Sequence, residues 1–590
     1  MPASFPNDPT SWLPPLQPWS GASESLIAAA GHPWITPAEK TGLTATPSYD
    51  ESLAWLRRLC VASPLVSMMD FGRSAQGRPL CLVTATTEKM HTPEALRASG
   101  KPTLLVQAGI HPGEIEGKDA GLMLLRDLAF SDKATLLQQV NLLFIPVLNP
   151  DGHERASSYN RPNQRGPIRM GWRSTAQNLN LNREYLKASA PEMRALLALL
   201  GEWTIDLYLD IHATDGLDFQ YDITYAYQGR AGSPSWSPRI SEWLDRTFST
   251  ALDAELHAQG HLALNFYVTP VNKRDLLLGL RESQMSPRFS LGYGDLRHLP
   301  TVLIETHSLK PYRQRVLATC VFIEATMRHL AGDAAALRAA IAADRASRHR
   351  KVPLDWIGGG PQRELDFRGI DFEHYESPAS GAREVRWLGR PRTFPKLPVF
   401  TDKAGIIIVR PVSYWVPVHK PEVIELLHLH GIAFETLDTD RTIDVTMYRV
   451  ALSETAAPVS PDESRHSIRL AGVRREHRRE TFPAGSIRIP TDQPLGDLAV
   501  ILLEPMGPDS LLQWGFFNEI AHRTEYIEGY IIAPLAERML GDDAKLKAEF
   551  EAKLAADPTF AADTSARLQW FYARTPFFDE RHLLYPIGMT

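Results

Sequence analysis

The sequence predicts an α/β fold: a mixed central sheet flanked by helices, with an appended α+β C-terminal domain. Three observations predict it. Near-continuous apolar runs such as NLLFIPVLN (141–149) have the pattern of strands buried on both faces. Helical stretches alternate with such runs from about residue 50 to 330, as in α/β domains. Polar residues with metal-binding chemistry stand just after these runs, at the sheet edge where open α/β folds bind ligands.

Taken in order, residues 1–48 are rich in Pro and Ser, lack sustained periodicity, and read as an irregular N-terminal arm. Ser48 to Leu59 reads as an amphipathic helix and RPLCLVTATT (78–87) as a strand. TLLVQAGI (103–110) is a strand, GKDAGLMLLRDLAF (117–130) a helix, and 141–149 the next strand. EMRALLALLGEW (192–203) is helical, and IDLYLDIHA (205–213) and PTVLIETHS (300–308) are central strands. A long Ala/Arg helix covers roughly 313–350 and closes a first domain of 49–350. Trp356 and the glycines at 358–360 read as a linker to the domain at 361–590. There, 404–417, 442–451 and 486–490 read as strands, 421–432 as a short helix, and Gln513 to Leu540 as aromatic-rich helices.

Composition narrows the function classes. The chain has 590 residues, 44% hydrophobic and 22% charged, with a net charge of −6. That balance gives no reason to expect nucleic acid as a partner. No apolar run reaches the roughly 18–20 residues of a membrane span. The start, MPASFPNDPTSWLPPLQPW, has neither the basic nor the apolar region of a secretory signal. The three cysteines, Cys60, Cys81 and Cys320, are far apart and read as inert thiols, so any metal must be held by His and carboxylate.

GIHPGEIEGKDAG (109–121) places His111 and Glu114 on a turn after a strand. Alone, the pair reads as a solvated turn. Pro112 excludes a helical His-Glu-x-x-His arrangement. His212, at the end of another strand, changes the balance. Two His and one Glu make three ligands with one position left for water, the pattern of a catalytic zinc. Glu305 interrupts an apolar strand, where a carboxylate is costly unless paired or reactive, and it suits a general base. Arg173 and Arg183 supply groups for carboxylate recognition and oxyanion stabilisation.

In order along the chain, His-x-x-Glu, LNPDGH (148–153), Trp-Arg (172–173), Leu-Asn-Arg (181–183), Ile-His (211–212) and the late strand glutamate resemble the zinc carboxypeptidase family, whose archetype is carboxypeptidase A. The resemblance covers roughly residues 50–330. It implies one zinc held by His111, Glu114 and His212, with Glu305 as general base. It implies Arg173 beside the scissile carbonyl, Asn182 and Arg183 on the substrate carboxylate, and removal of C-terminal residues from peptides. It also implies a periplasmic or secreted setting. Two departures stand out. The family often has an acidic residue where this chain has Asn180, and its substrate-capping tyrosine has only Tyr293 as a counterpart. Arg288 is a further candidate for a charge in the specificity pocket. The alternatives are a zinc deacylase acting on N-acyl amino acids or small amide conjugates, and a non-catalytic binding protein.

Blander readings apply elsewhere. Asp210 and Asp215 read as surface or outer-sphere groups, and Glu154 and Arg155 as scaffold. RREHRRE (474–480) reads as a solvated loop, His428 and His430 as helix-end residues, and QWGFFNEI (513–520) as core or inter-domain contact.

Overall fold

The structure, a computed structural model, describes residues 9–453, 468–522 and 525–590. The first strands are β1 (Val66–Arg73), β2 (Pro79–Ala85), β3 (Thr103–Gln107), β4 (Asn141–Ile145), β5 (Leu207–Ala213), β6 (Ile223–Ala226) and β7 (Ala263–Asn265); β2 to β5 fall on the apolar runs, whereas β1, VSMMDFGR, is partly exposed and has none. Two short strands follow, β8 (Thr269–Pro270) and β9 (Leu280–Glu282), then β10 (Thr301–Thr306). The main sheet runs β1-β2-β4-β3-β5-β10-β6-β7. Its centre, β4-β3-β5-β10, is parallel, and β1, β2 and β6 make it mixed. The four central strands are buried along their whole length, which is why their sequences show no alternation.

Helices cover both faces. Tyr49–Ala62 starts at a capping box, in which Ser48 accepts from the Glu51 amide and Glu51 accepts from the Ser48 amide. It packs on one face with Glu116–Phe130 and the 35-residue helix Tyr312–Ala346. A fully buried ion pair, Arg315 to Glu116 at 2.9 Å, joins the last two, and Thr306 at the end of β10 also donates to Glu116. Removing either partner of such a pair leaves a buried charge uncompensated, at a cost of about 3–5 kcal/mol.

The opposite face is covered by Pro191–Glu202 and then by the C-terminal region. Leu105, Leu143 and Leu197 share one core with Tyr414, Ile489, Leu502 and Trp514. The C-terminal region is thus joined to the sheet through apolar packing. Its own sheet has six strands, with Ser413–Val416 and Ile487–Pro490 near one edge and Arg441–Leu452 paired to Leu470–Phe482 at the other. Beyond it, helices between Gly529 and Tyr572 form a small separate core around Phe550.

Two expectations are corrected. Trp356 and Gly358–Gly360 are not a linker. They open a long strand, Trp356–Ser377, that pairs with Ala382–Ala404, which in turn pairs with β9. The run Gly358 to Pro361 falls at register shifts, where bulges tolerate glycine and proline. RREHRRE lies in strand Leu470–Phe482, where its charges pair across strands, as in Arg449 to Glu476 at 2.7 Å. Among the described residues no helix is long and apolar enough to cross a membrane.

Candidate active site

Adjacent central strands build the site. β3 ends at Gln107, and the chain turns through Gly109 in the left-handed region, φ +66°. A Cβ there would lie 3.1 Å from Val147, so only glycine fits comfortably. The turn delivers His111 and Glu114 beside the end of β5. In the β5–β10 register, Glu305 stands opposite His212.

His111 Nδ1 lies 3.2 Å from Glu114 Oε1, and His212 Nδ1 lies 2.9 Å from Glu114 Oε2. One donor atom from each of the three residues falls within 4.8 Å of the others, and all three side chains are buried. Both histidines aim Nδ1 inward and tie Nε2 outward: His111 to Asn180 Oδ1 at 2.9 Å, His212 to Asp210 Oδ2 at 3.0 Å. These outer partners fix ring orientation as in metal sites. The donor set and its outer partners therefore fit a zinc ion. Asp210 is fully buried and also accepts from Gln107 at 2.9 Å, whereas Asp215 is exposed.

Electrostatics suit a cation. Burial raises the Glu114 pKa, but Arg161 and His111 outweigh it and hold the carboxyl well below the usual range. Burial draws His111 down to about 4 despite Glu114. Burial also opposes charge on His212, yet Asp210 and Glu114 prevail and raise its pKa well above the ordinary value. A metal would displace the proton held there.

Glu305 is 7% exposed, and its Oε2 has no hydrogen-bond partner among the described residues. Burial, with Glu114 and Asp215 adding to it against the pull of His212, pushes its pKa from 4.5 to about 8 in the metal-free chain. The native state thus holds this proton where the unfolded chain has released it. The resulting stability is complete below pH about 4.5 and is lost as pH rises through about 8. In metal-free protein, Glu305→Gln should remove that slope. Urea midpoints of variant and wild type should diverge from pH 4.5 to 8; parallel curves would contradict the shift.

Arg173, Asn182, Arg183, Tyr267, Met285, Phe289 and Leu303 line the same narrow cleft, of about 90 Å³, with the triad and Glu305. Arg173 Nη1 is 3.5 Å from Glu114 Oε1. Arg183 donates to the Asn182 carbonyl and lies 4.3 Å over the Phe289 ring.

Tyr293 does not belong here. It is 1% exposed, and its hydroxyl bonds His430 Nδ1 at 2.9 Å and Arg297. The tyrosine in the cleft is Tyr267, whose pKa the Glu305 charge raises. It sits between β7 and β8 without periodicity to mark it. Arg288 is turned away as well, paired with Asp509 at 2.8 Å. Arg161, in a stretch with no regular pattern, also reaches the site: its guanidinium meets Glu114 at 2.8 Å, and its stem packs where a Cβ on Gly113 would be, at 2.6 Å.

Residues 53–273 match the family profile described as zinc carboxypeptidase. This domain belongs to the zinc carboxypeptidase family. It is accordingly a metallocarboxypeptidase-type hydrolase. Carboxypeptidase 2 of Trichophyton rubrum is 24% identical over 504 residues, spanning 80% of this chain and 84% of that protein. Carboxypeptidase Z of Gallus gallus is 30% identical over 149 residues, 23% of this chain and 21% of the other. A solved metallo-carboxypeptidase from Pseudomonas aeruginosa, in complex with (2-guanidinoethylmercapto)succinic acid, is 21% identical and aligns over 50% of this chain and 71% of its own, with a TM-score of 0.37.

Proposed function

We propose that the protein removes C-terminal residues from peptides, with zinc held by His111, Glu114 and His212. The observation that carries this reading is the meeting, in one cleft, of a buried two-His, one-Glu set, a buried carboxylate with an unmet oxygen, and an Asn-Arg pair. When bound, zinc supplies a Lewis acid that polarises the scissile carbonyl and makes its water more acidic. Glu305 takes the water proton and hands it to the leaving amine. Arg173, already beside Glu114, offers its guanidinium to the negative charge growing on the carbonyl oxygen. Asn182 and Arg183 grip the terminal carboxylate and set which bond reaches Glu305.

A substrate panel tests this against the deacylase alternative. Peptides with a free carboxylate should be shortened by one residue at a time. Cleavage of N-acyl amino acids with no action on such peptides sinks the reading. Arg183→Met should raise KM for free-carboxylate peptides roughly 10- to 100-fold, the equivalent of losing one charged hydrogen bond at about 1.5–3 kcal/mol. An unchanged KM would remove Arg183 from substrate binding. The family resemblance also supports a secreted or periplasmic location, which fractionation of the native host would test.

A further inference from the structure

The substrate-carboxylate end of the cleft is made by two segments that lack long regular structure. One is the three-residue turn Leu181–Arg183 and the chain up to Lys187. The other is the stretch before the short helix Ser290–Leu296, which brings Met285 and Phe289 to the cleft. Loop segments of this kind need an external support to hold a long arginine in one rotamer.

The support comes from the C-terminal region. The Trp514 ring, 4% exposed, carries two cations, one from each segment: Lys187 Nζ at 3.8 Å and the Arg288 guanidinium at 4.6 Å. Asp509, 1% exposed, accepts from Arg288 Nε at 2.8 Å and from Ser286 Oγ at 2.5 Å. Arg288 is followed directly by Phe289, the ring under Arg183. The Arg288 carbonyl accepts from the Tyr185 amide at 3.4 Å and joins the two segments. His430 adds a third tie, with Nε2 3.0 Å from the Leu186 carbonyl. A continuous path of contacts thus runs from Asp509 and Trp514 through Arg288 and Phe289 to Arg183.

We infer that Asp509 and Trp514 are positioning residues for the carboxylate pocket, so that the C-terminal region is part of the substrate site and not a neutral appendage. The inference rests on the proposed role of Asn182 and Arg183. Both residues act on how well a carboxylate is gripped, and neither touches the triad or Glu305. Their loss should therefore appear in KM and leave kcat and zinc content in place.

The test uses the full-length zinc enzyme and benzoylglycyl-phenylalanine. Asp509→Asn and Trp514→Ala should each raise KM about 10-fold, with kcat within about twofold and zinc unchanged, in line with the sensitivity of positioned groups to small shifts. Trp514→Phe should restore most of the affinity, since a ring remains for both cations. Phe550→Leu, in the separate helical core, serves as the stability control: it should lower Tm and leave KM alone. Should Trp514→Ala not fold, Asp509→Asn decides alone. Asp509→Asn behaving like Phe550→Leu, with Tm lowered and KM unmoved, overturns the inference while wild-type turnover leaves the functional reading standing. A wild-type chain that holds zinc yet leaves this peptide intact overturns that reading and this inference with it.

Discussion

Glu305→Gln should keep zinc and lose turnover by about 10²- to 10⁴-fold, the range of a general acid–base group. The substitution is nearly isosteric, so the β10 register opposite β5 survives, and with it the placement of His212. What changes is proton capacity. A carboxylate can accept the water proton and return it to the amine; an amide can do neither. The environment fits that duty. The carboxyl is buried, its Oε2 is unmet, and in the metal-free chain its pKa is pushed up to about 8. A nearby cation lowers such a pKa toward neutrality, where a base serves best. Two measurements on one preparation settle the matter: metal content, and kcat on a free-carboxylate peptide. Stoichiometric zinc with wild-type kcat would remove Glu305 from the mechanism.

How much of this was legible in the sequence depended on whether a signal was local. His111, Glu114, His212 and Glu305 each follow or interrupt an apolar run, and burial on both faces makes polar residues there conspicuous. The central strands were legible for the same reason. Tyr267 and Arg161 lie in irregular stretches, where nothing periodic marks a side chain as facing the site. Tyr293 misled because its place in the sequence was plausible, while its position in a short buried helix turns the hydroxyl to His430, 137 residues away. The pairing of Arg288 with Asp509 spans 221 residues and leaves no trace in local pattern. The hairpin at 356–404 was masked by its own glycines and prolines, which signal breaks in isolation and bulges in a paired strand.

The second large effect concerns the metal itself. His212→Ala should abolish zinc retention and, with it, activity, since only His111 and Glu114 of the buried donor set remain. The more informative variants lie one layer out, because the two histidines are supported unequally. His212 leans on a carboxylate, Asp210, which is itself held by Gln107; His111 leans on an amide, Asn180. A carboxylate partner makes an imidazole a better donor than an amide does, and outer partners of this kind typically change metal affinity 10- to 100-fold. Asp210→Asn should therefore weaken zinc binding by about that factor. Asn180→Asp should strengthen it, because it gives His111 the charged partner that His212 already has. Competition with a zinc chelator at fixed pH reads both changes directly and does not depend on which substrate is cut. If Asn180→Asp weakens binding, the extra charge is acting through Arg173 and Glu114 and not through the ring, and the two histidines are not equivalent in the way their shared Nδ1 geometry implies.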